Sequence, residues 1–83
     1  MSREYDNLDI RIGGNLRRVR EFNKLTQTEV GYILNVSSQQ IAKYETGKNR
    51  ISASNLYRLA SYYNTNMNKF LLITDKELEM EVR

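Results

Sequence analysis

The chain has 83 residues, a formal net charge of +3, and neither cysteine nor histidine. This length suits one small domain, and the missing residue types exclude disulfides, thiolate metal sites and the commonest general base. Without an apolar run of membrane-spanning length or an apolar secretory signal near the start, we expect a cytoplasmic protein that is not bound to a membrane.

The charges are unevenly distributed along the chain. Residues 10–69 contain ten Lys or Arg and three Glu, whereas the two flanks together contain three basic and seven acidic residues. A basic centre with acidic ends suits a surface that binds nucleic acid. Ordinary solubility charge is the alternative interpretation.

The first predicted helix covers about residues 10–23, with Asp9 as its N-cap and a polar arm before it. Its apolar stripe consists of Ile12, Leu16 and Val19. Gly13 and Gly14 interrupt this helix, and each costs about 1 kcal/mol relative to alanine in a helix interior. Either the helix begins later, or another backbone packs closely there.

Arg20 lies four residues after Leu16, on the inward stripe of the first helix. A buried guanidinium needs an acidic partner. Glu45 lies four residues after Ile41, on the inward side of the third predicted helix, and we expect an Arg20–Glu45 ion pair between the two helices. The alternative is that both side chains extend to solvent.

The second and third helices are predicted over about 27–34 and 38–46. Thr26 and Glu29 form a capping-box pattern at the start of the second helix, and Ser37 is the N-cap of the third. Two short capped helices separated by a tight turn form a helix-turn-helix, whose second helix enters the DNA major groove.

Two further helices are predicted over about 53–63 and 67–72, the first of them capped by Ser52. A last capping pattern predicts a short acidic sixth helix over about 75–82, for which a frayed tail is the alternative. The chain thus divides into a polar N-terminal arm at 1–9, a helix-turn-helix DNA-binding domain at 10–72 and an acidic C-terminal tail at 73–83.

A rotation of about 100° per residue places four side chains of the third helix away from its core direction. Glutamine pairs with adenine, lysine reaches guanine acceptors, and alanine contacts the thymine methyl group. A plain polar solvent face is the alternative. The outward residues are Gln39, Ala42, Lys43 and Thr46, with Ser38 and Gln40 on the flanks.

Another set of residues is predicted to contact the DNA backbone. Helix N-termini attract phosphates through free amides, and basic side chains neutralise them. The predicted backbone contacts are Arg17, Gln27, Ser37, Gln40, Thr46, Lys48, Asn49 and Arg50.

Three segments of the chain resemble the Xre/Cro family of phage-repressor-like helix-turn-helix domains, and alphaproteobacterial regulators in particular. These segments are LRRVREFNKLTQTEVG, NVS and IAKYETGKNRISASNLYRLA. The resemblance covers residues 16–71. It implies an all-α, compact five-helix, lambda-repressor-like domain that binds operator DNA as a homodimer.

The resemblance also assigns roles to individual residues. It implies that Gln27 supports the DNA backbone and the third helix, that the loop 46–50 contacts the backbone, and that Arg20 pairs with Glu45. The implied base-reading positions are Ser38, Gln39 and Lys43. Two residues depart from the family pattern. Gly31 replaces the usual alanine, which is expected to weaken the second helix slightly, and Asn35 replaces the turn glycine. Gly31 also lies where the second and third helices are expected to cross most closely, and its missing side chain permits close backbone approach.

We therefore expect a sequence-specific transcriptional regulator, more specifically a repressor, that reads the major groove with its third helix. The alternative is an antitoxin-like module that neutralises a protein partner and represses its own promoter. An enzyme is not expected, because no histidine activates the serines, and no cofactor, metal or small-molecule ligand is expected. The apolar residues Phe70, Leu72 and Leu78 suggest that the homodimer forms through the fifth helix and the tail.

Overall fold

The computed structural model describes the backbone of residues 2–71 and the side chains of residues 8–71. This part of the chain folds into five helices and contains no strand. The helices are α1 (Ser2–Phe22), α2 (Gln27–Leu34), α3 (Ser38–Thr46), α4 (Ala53–Tyr62) and α5 (Asn68–Leu71). The predicted acidic helix and the tail lie outside the described residues.

The termini of α2 and α3 follow from local capping chemistry. The Thr26 hydroxyl accepts the Glu29 amide at 3.0 Å while the Glu29 carboxylate accepts the Thr26 amide at 2.7 Å, which completes the predicted capping box. Asn35 ends α2 with a left-handed φ of 59°, and the Ser37 hydroxyl then accepts the Gln40 amide to begin α3. Both helices have the predicted bounds.

The predicted start of α1 is wrong by about eight residues. The backbone of residues 2–9 continues α1 instead of forming an arm, and Asp9 is inside the helix rather than at its N-cap. No glycine or proline occurs before Gly13, and the Asp9 side chain accepts a hydrogen bond from Arg50 at 3.0 Å. The two additional turns of α1 thus occur together with the Asp9–Arg50 contact, which joins residues 41 positions apart.

Two glycines permit close backbone approach. A Cβ atom added to Gly13 would lie 2.3 Å from the Tyr44 carbonyl oxygen of α3, so α1 continues through the glycine pair because another backbone packs there. A Cβ atom added to Gly31 would lie 2.5 Å from the Val36 carbonyl oxygen. The predicted close backbone approach at Gly31 is therefore confirmed, and the backbone that approaches is that of the turn between α2 and α3.

The core forms where α3 packs against α1 and α2, α4 against α2, and α5 against α1. The buried Asn15 side chain donates to the Phe70 carbonyl at 3.0 Å, which fixes α5 on α1 and was not predicted. Phe70 is 0 % exposed and so is unavailable for the expected dimer contact, whereas the neighbouring Leu71 is exposed. The buried apolar side chains are Leu16, Val30, Leu34, Ile41, Leu56, Leu59, Ala60 and Phe70.

Candidate nucleic-acid interface

The orientation of α3 follows from its two buried residues. Ile41 and Glu45 face the core, and the remaining positions of the helix therefore lie at its sides or outside. Gln39, Lys43 and Thr46 are exposed, while Ser38, Gln40 and Ala42 are partly buried at the edges of the exposed face. This exposed strip presents amide, ammonium and hydroxyl groups, which can bond to base edges in the major groove.

A buried ion pair fixes α3 relative to α1. Arg20 Nε donates to one Glu45 carboxylate oxygen at 2.6 Å, and Arg20 Nη2 donates to the other at 3.1 Å. The side chains are 12 % and 5 % exposed, respectively. The hydrogen bond to Glu45 raises the pKa of Arg20, so the guanidinium stays charged. The structure thus brings together the two residues that the inward stripes paired.

The same carboxylate also holds the start of α2. Gln27 Nε2 donates to Glu45 Oε1 at 3.1 Å, and Arg20 Nη1 donates to the Leu25 carbonyl at 2.8 Å. Four hydrogen bonds therefore join the end of α1, the α1–α2 loop, the first residue of α2 and α3. The relative position of the two helices of the helix-turn-helix is set by this network as well as by the apolar core.

An open surface cavity of about 490 Å³ lies over this network. Its walls combine the outer face of α3, the N-terminus of α2 and the last turns of α1. The free amides of a helix N-terminus beside a cationic side chain are suited to an anionic group such as a phosphate. Four of the predicted DNA contacts line the cavity: Arg17, Gln27, Ala42 and Thr46.

The two predicted backbone-contacting arginines each pair with an acid of α1. Arg17 Nε lies 3.0 Å from Glu21 Oε2, and Arg50 Nε lies 3.0 Å from Asp9 Oδ2. Neither pair was predicted from the sequence. Arg17 and Glu21 have the (i, i+4) spacing of a local helical ion pair, which is a usable signal, whereas Asp9 and Arg50 lie 41 positions apart.

The loop after α3 is exposed. The Asn49 amide donates to the Lys43 carbonyl at 3.2 Å, which ties the loop to the end of α3. Lys48, Asn49 and Arg50 are all exposed, as is Ser37 at the other end of α3. The predicted backbone contacts therefore flank both ends of the exposed strip.

The described residues contain neither a cluster of metal ligands nor a membrane-spanning helix. No group of three or more acidic side chains in that part of the chain could hold a metal ion. No described helix is long and apolar enough to cross a membrane.

Both the sequence and the fold of this chain are similar to those of known proteins. Residues 16–70 match the helix-turn-helix family. An uncharacterised helix-turn-helix transcriptional regulator of Sinorhizobium fredii is 30 % identical over 76 residues, which are 92 % of this chain and 53 % of that protein. An uncharacterised transcriptional regulator of Rhodospirillum rubrum is 42 % identical over 59 residues, which are 71 % of this chain and 55 % of that protein. The chain thus spans about half the length of these curated relatives.

Solved structures share the fold at lower identity. The restriction-modification controller protein C.AhdI of Aeromonas hydrophila has a TM-score of 0.67 and 20 % identity, covering 74 % of this chain and 92 % of that one. HppE in complex with its substrate has a TM-score of 0.72 and 18 % identity, covering 78 % of this chain but only 36 % of that one. The predicted all-α, lambda-repressor-like fold is confirmed.

Proposed function

Since the chain belongs to the Xre/Cro-type helix-turn-helix family of DNA-binding transcriptional regulators, we propose that it is a repressor that reads operator DNA with α3. The exposed strip of α3, which contains Gln39, Lys43 and Thr46, carries this proposal. It is the polar face of a helix whose opposite side is fixed by the Arg20–Glu45 pair, so the base-reading side chains start from a rigid element.

The proposed mechanism is steric. The chain binds as a homodimer to two half-sites about 34–36 Å apart, one helical turn of DNA, and blocks transcription from the overlapping promoter. It acts at the nucleoid in the cytoplasm. It does so without catalytic activity, cofactor or small-molecule ligand. The family is one of transcriptional regulators rather than enzymes.

Within this proposal the site residues have two roles. Base contacts specify the sequence, and phosphate contacts set the position of the protein on the duplex. Gln39, Lys43, Ser38 and Ala42 read bases. Gln27 contacts the backbone from the start of α2, and Ser37, Gln40 and Thr46 contact it from the ends and flank of α3. The remaining backbone contacts are Arg17, Lys48, Asn49 and Arg50.

The experiment begins with duplexes that the full chain enriches from a random pool. Fluorescence anisotropy then compares an enriched duplex with its shuffled version, and specific binding is expected to be about 10³-fold tighter or more. The duplex upstream of the gene itself tests autoregulation. Equal weak binding to every duplex would refute operator reading.

Gln39→Ala and Gln40→Ala form a matched pair on one helix. Gln39→Ala is expected to cost about 1–3 kcal/mol on the enriched duplex and to relax preference at one base position. Gln40→Ala is expected to weaken binding to both duplexes alike, as loss of a backbone contact does. Equal loss on both duplexes for Gln39→Ala would count against base reading by α3.

Sedimentation equilibrium tests the homodimer. The full chain is compared with a chain that ends after Leu72, and an unchanged dimer would remove the tail from the interface. The antitoxin-like alternative depends on the acidic tail, and copurification of a second small protein would favour it over the repressor.

A further inference from the structure

Asp9 and Ile10, inside α1, pack against the loop that follows α3. The Asp9 carboxylate accepts a hydrogen bond from Arg50 Nε at 3.0 Å. One residue further along α1, a Cβ atom added to Gly47 would lie 2.9 Å from Ile10 Cγ1 and 3.0 Å from Ile10 Cα. Two independent contacts therefore hold the loop 47–50 against α1, on the side of the molecule to which the proposed function assigns DNA-backbone contacts.

The Asp9–Arg50 pair is unequal in its exposure to solvent. The Asp9 side chain is 17 % exposed, whereas the Arg50 side chain is 55 % exposed. A guanidinium is planar and carries donors on all three nitrogens, so a bond at Nε restricts the orientations of the plane in which the others lie. Asp9 thus anchors Arg50 from the protein side and restricts the orientations of its exposed part.

The Arg17–Glu21 pair provides an internal comparison. It also joins Nε to a carboxylate at 3.0 Å, but its residues lie four apart on α1 and are 64 % and 54 % exposed. Such a pair is screened by solvent and does not link two elements of the fold. Asp9 is therefore the acid that joins a loop arginine to another element of the fold, while Glu21 offers the same charge change without that link.

We propose that Asp9 is a positioning residue for DNA binding, which holds Arg50 in place and limits sequence-independent binding. The proposal rests on the proposed function. On an operator, the base contacts of α3 fix one phosphate relative to the loop, so a restrained Arg50 can be matched to it. On random DNA the protein binds in many registers, and the phosphates lie differently relative to the loop in each. A restrained Arg50, whose charge is offset by Asp9, therefore adds less affinity in each register.

The main test is Asp9→Asn in the full chain, measured by anisotropy on the enriched and shuffled duplexes across salt concentrations. One additional neutralised phosphate steepens the log–log salt dependence by about 0.9 and strengthens binding by about fivefold to tenfold near 0.1 M salt. We expect up to this change on the shuffled duplex, where the wild-type Arg50 gains only part of a phosphate contact, and a smaller gain on the enriched one, so the specificity ratio falls. An equal gain on both duplexes, or no gain, would overturn the proposal.

Three further variants separate positioning from simple charge. Asp9→Glu keeps the carboxylate and is expected to retain the wild-type ratio, whereas Glu21→Gln is expected to leave the ratio unchanged. In an Arg50→Ala background, Asp9→Asn is expected to have no effect, because the arginine through which it acts is missing. A persistent effect in that background would show that Asp9 acts as a plain charge and would refute positioning.

The same data distinguish this inference from the proposed function. If Arg50→Ala weakens binding to both duplexes but Asp9→Asn changes neither, only the inference about Asp9 fails. If Arg50→Ala leaves affinity and salt dependence unchanged, the assignment of the loop to the DNA backbone fails and the inference fails with it. Far-UV circular dichroism of each variant verifies that the helices are intact.

Discussion

Arg20 and Glu45 lie 25 positions apart and form a two-bonded ion pair between α1 and α3, in which the carboxylate is 5 % exposed. Gln27 shares one oxygen of that carboxylate. Glu45 of α3 therefore contacts both Arg20 of α1 and Gln27, the first residue of α2. The Glu45 carboxylate therefore contributes both to the stability of the domain and to the geometry of the proposed DNA-reading surface.

Glu45→Gln is expected to lower the free energy of unfolding by about 3 kcal/mol, because it leaves the poorly exposed Arg20 charge without its counter-ion. Urea unfolding followed by far-UV circular dichroism measures the change. Glu21→Gln is the matched control. Glu21 pairs with the exposed Arg17 at 3.0 Å and lies 4.0 Å from Arg20, and because its own side chain is 54 % exposed, its loss is expected to cost under about 1 kcal/mol. Similar small losses for both variants would show that burial does not strengthen the Arg20–Glu45 pair.

The neighbouring glycines of α1 are expected to respond oppositely to alanine. Gly14→Ala introduces a Cβ atom with nothing within 4 Å and is expected to stabilise the domain by about 0.5–1 kcal/mol. Gly13→Ala places a Cβ atom 2.3 Å from a backbone oxygen of α3 and is expected to destabilise it despite the same gain in helix propensity. Thermal unfolding of the two variants gives the comparison, and a Gly13→Ala variant as stable as Gly14→Ala would contradict the close packing.

The sequence predicted well those features that depend on neighbouring residues. The capping box at Thr26, the left-handed turn at Asn35 and the serine cap at Ser37 are local, and they placed both helices of the helix-turn-helix correctly. The Arg20–Glu45 pair followed from two helical stripes together with the cost of burying a charge. These predictions needed periodicity and capping but no knowledge of the packed fold.

The features that the sequence did not predict depend on contacts between distant segments. The early start of α1 accompanies the Asp9–Arg50 bond across 41 positions, and α5 is fixed by the Asn15 amide across 55. Propensity and periodicity carry no information on such contacts. The close backbone approach at Gly31, by contrast, was predicted, and it involves the turn only five residues further along the chain.

Tyr63→Phe is expected to leave the free energy of unfolding at pH 7 unchanged or to raise it. Within the part of the chain that the structure describes, the buried Tyr63 hydroxyl has no hydrogen-bond partner, so its removal relieves an unsatisfied polar group. Urea unfolding measures the change. A clear loss of stability would show that the hydroxyl is hydrogen-bonded in solution.

The same tyrosine is expected to make stability depend on alkaline pH. Burial raises the pKa of Tyr63 from 10.0 to about 12, so the folded state favours the neutral phenol. This contribution is complete below pH 10 and is lost as pH rises towards 12, because the unfolded state ionises first. The decline in urea midpoint between pH 9 and 11.5 should therefore be steeper for the wild type than for Tyr63→Phe, and parallel declines would contradict the raised pKa.

Lys48→Ala is expected to separate backbone binding from base reading. Lys48 is exposed in the loop after α3, and loss of one phosphate contact reduces the slope of log affinity against log salt by about 0.9. The affinity should fall by the same factor on the enriched and the shuffled duplex, because a phosphate contact carries no sequence information. Lys69→Ala on α5 is the control with the same charge change, and anisotropy across salt should give it the wild-type slope. If both lysines reduce the slope equally, the effect comes from net charge, and the loop 46–50 is not a distinct backbone contact.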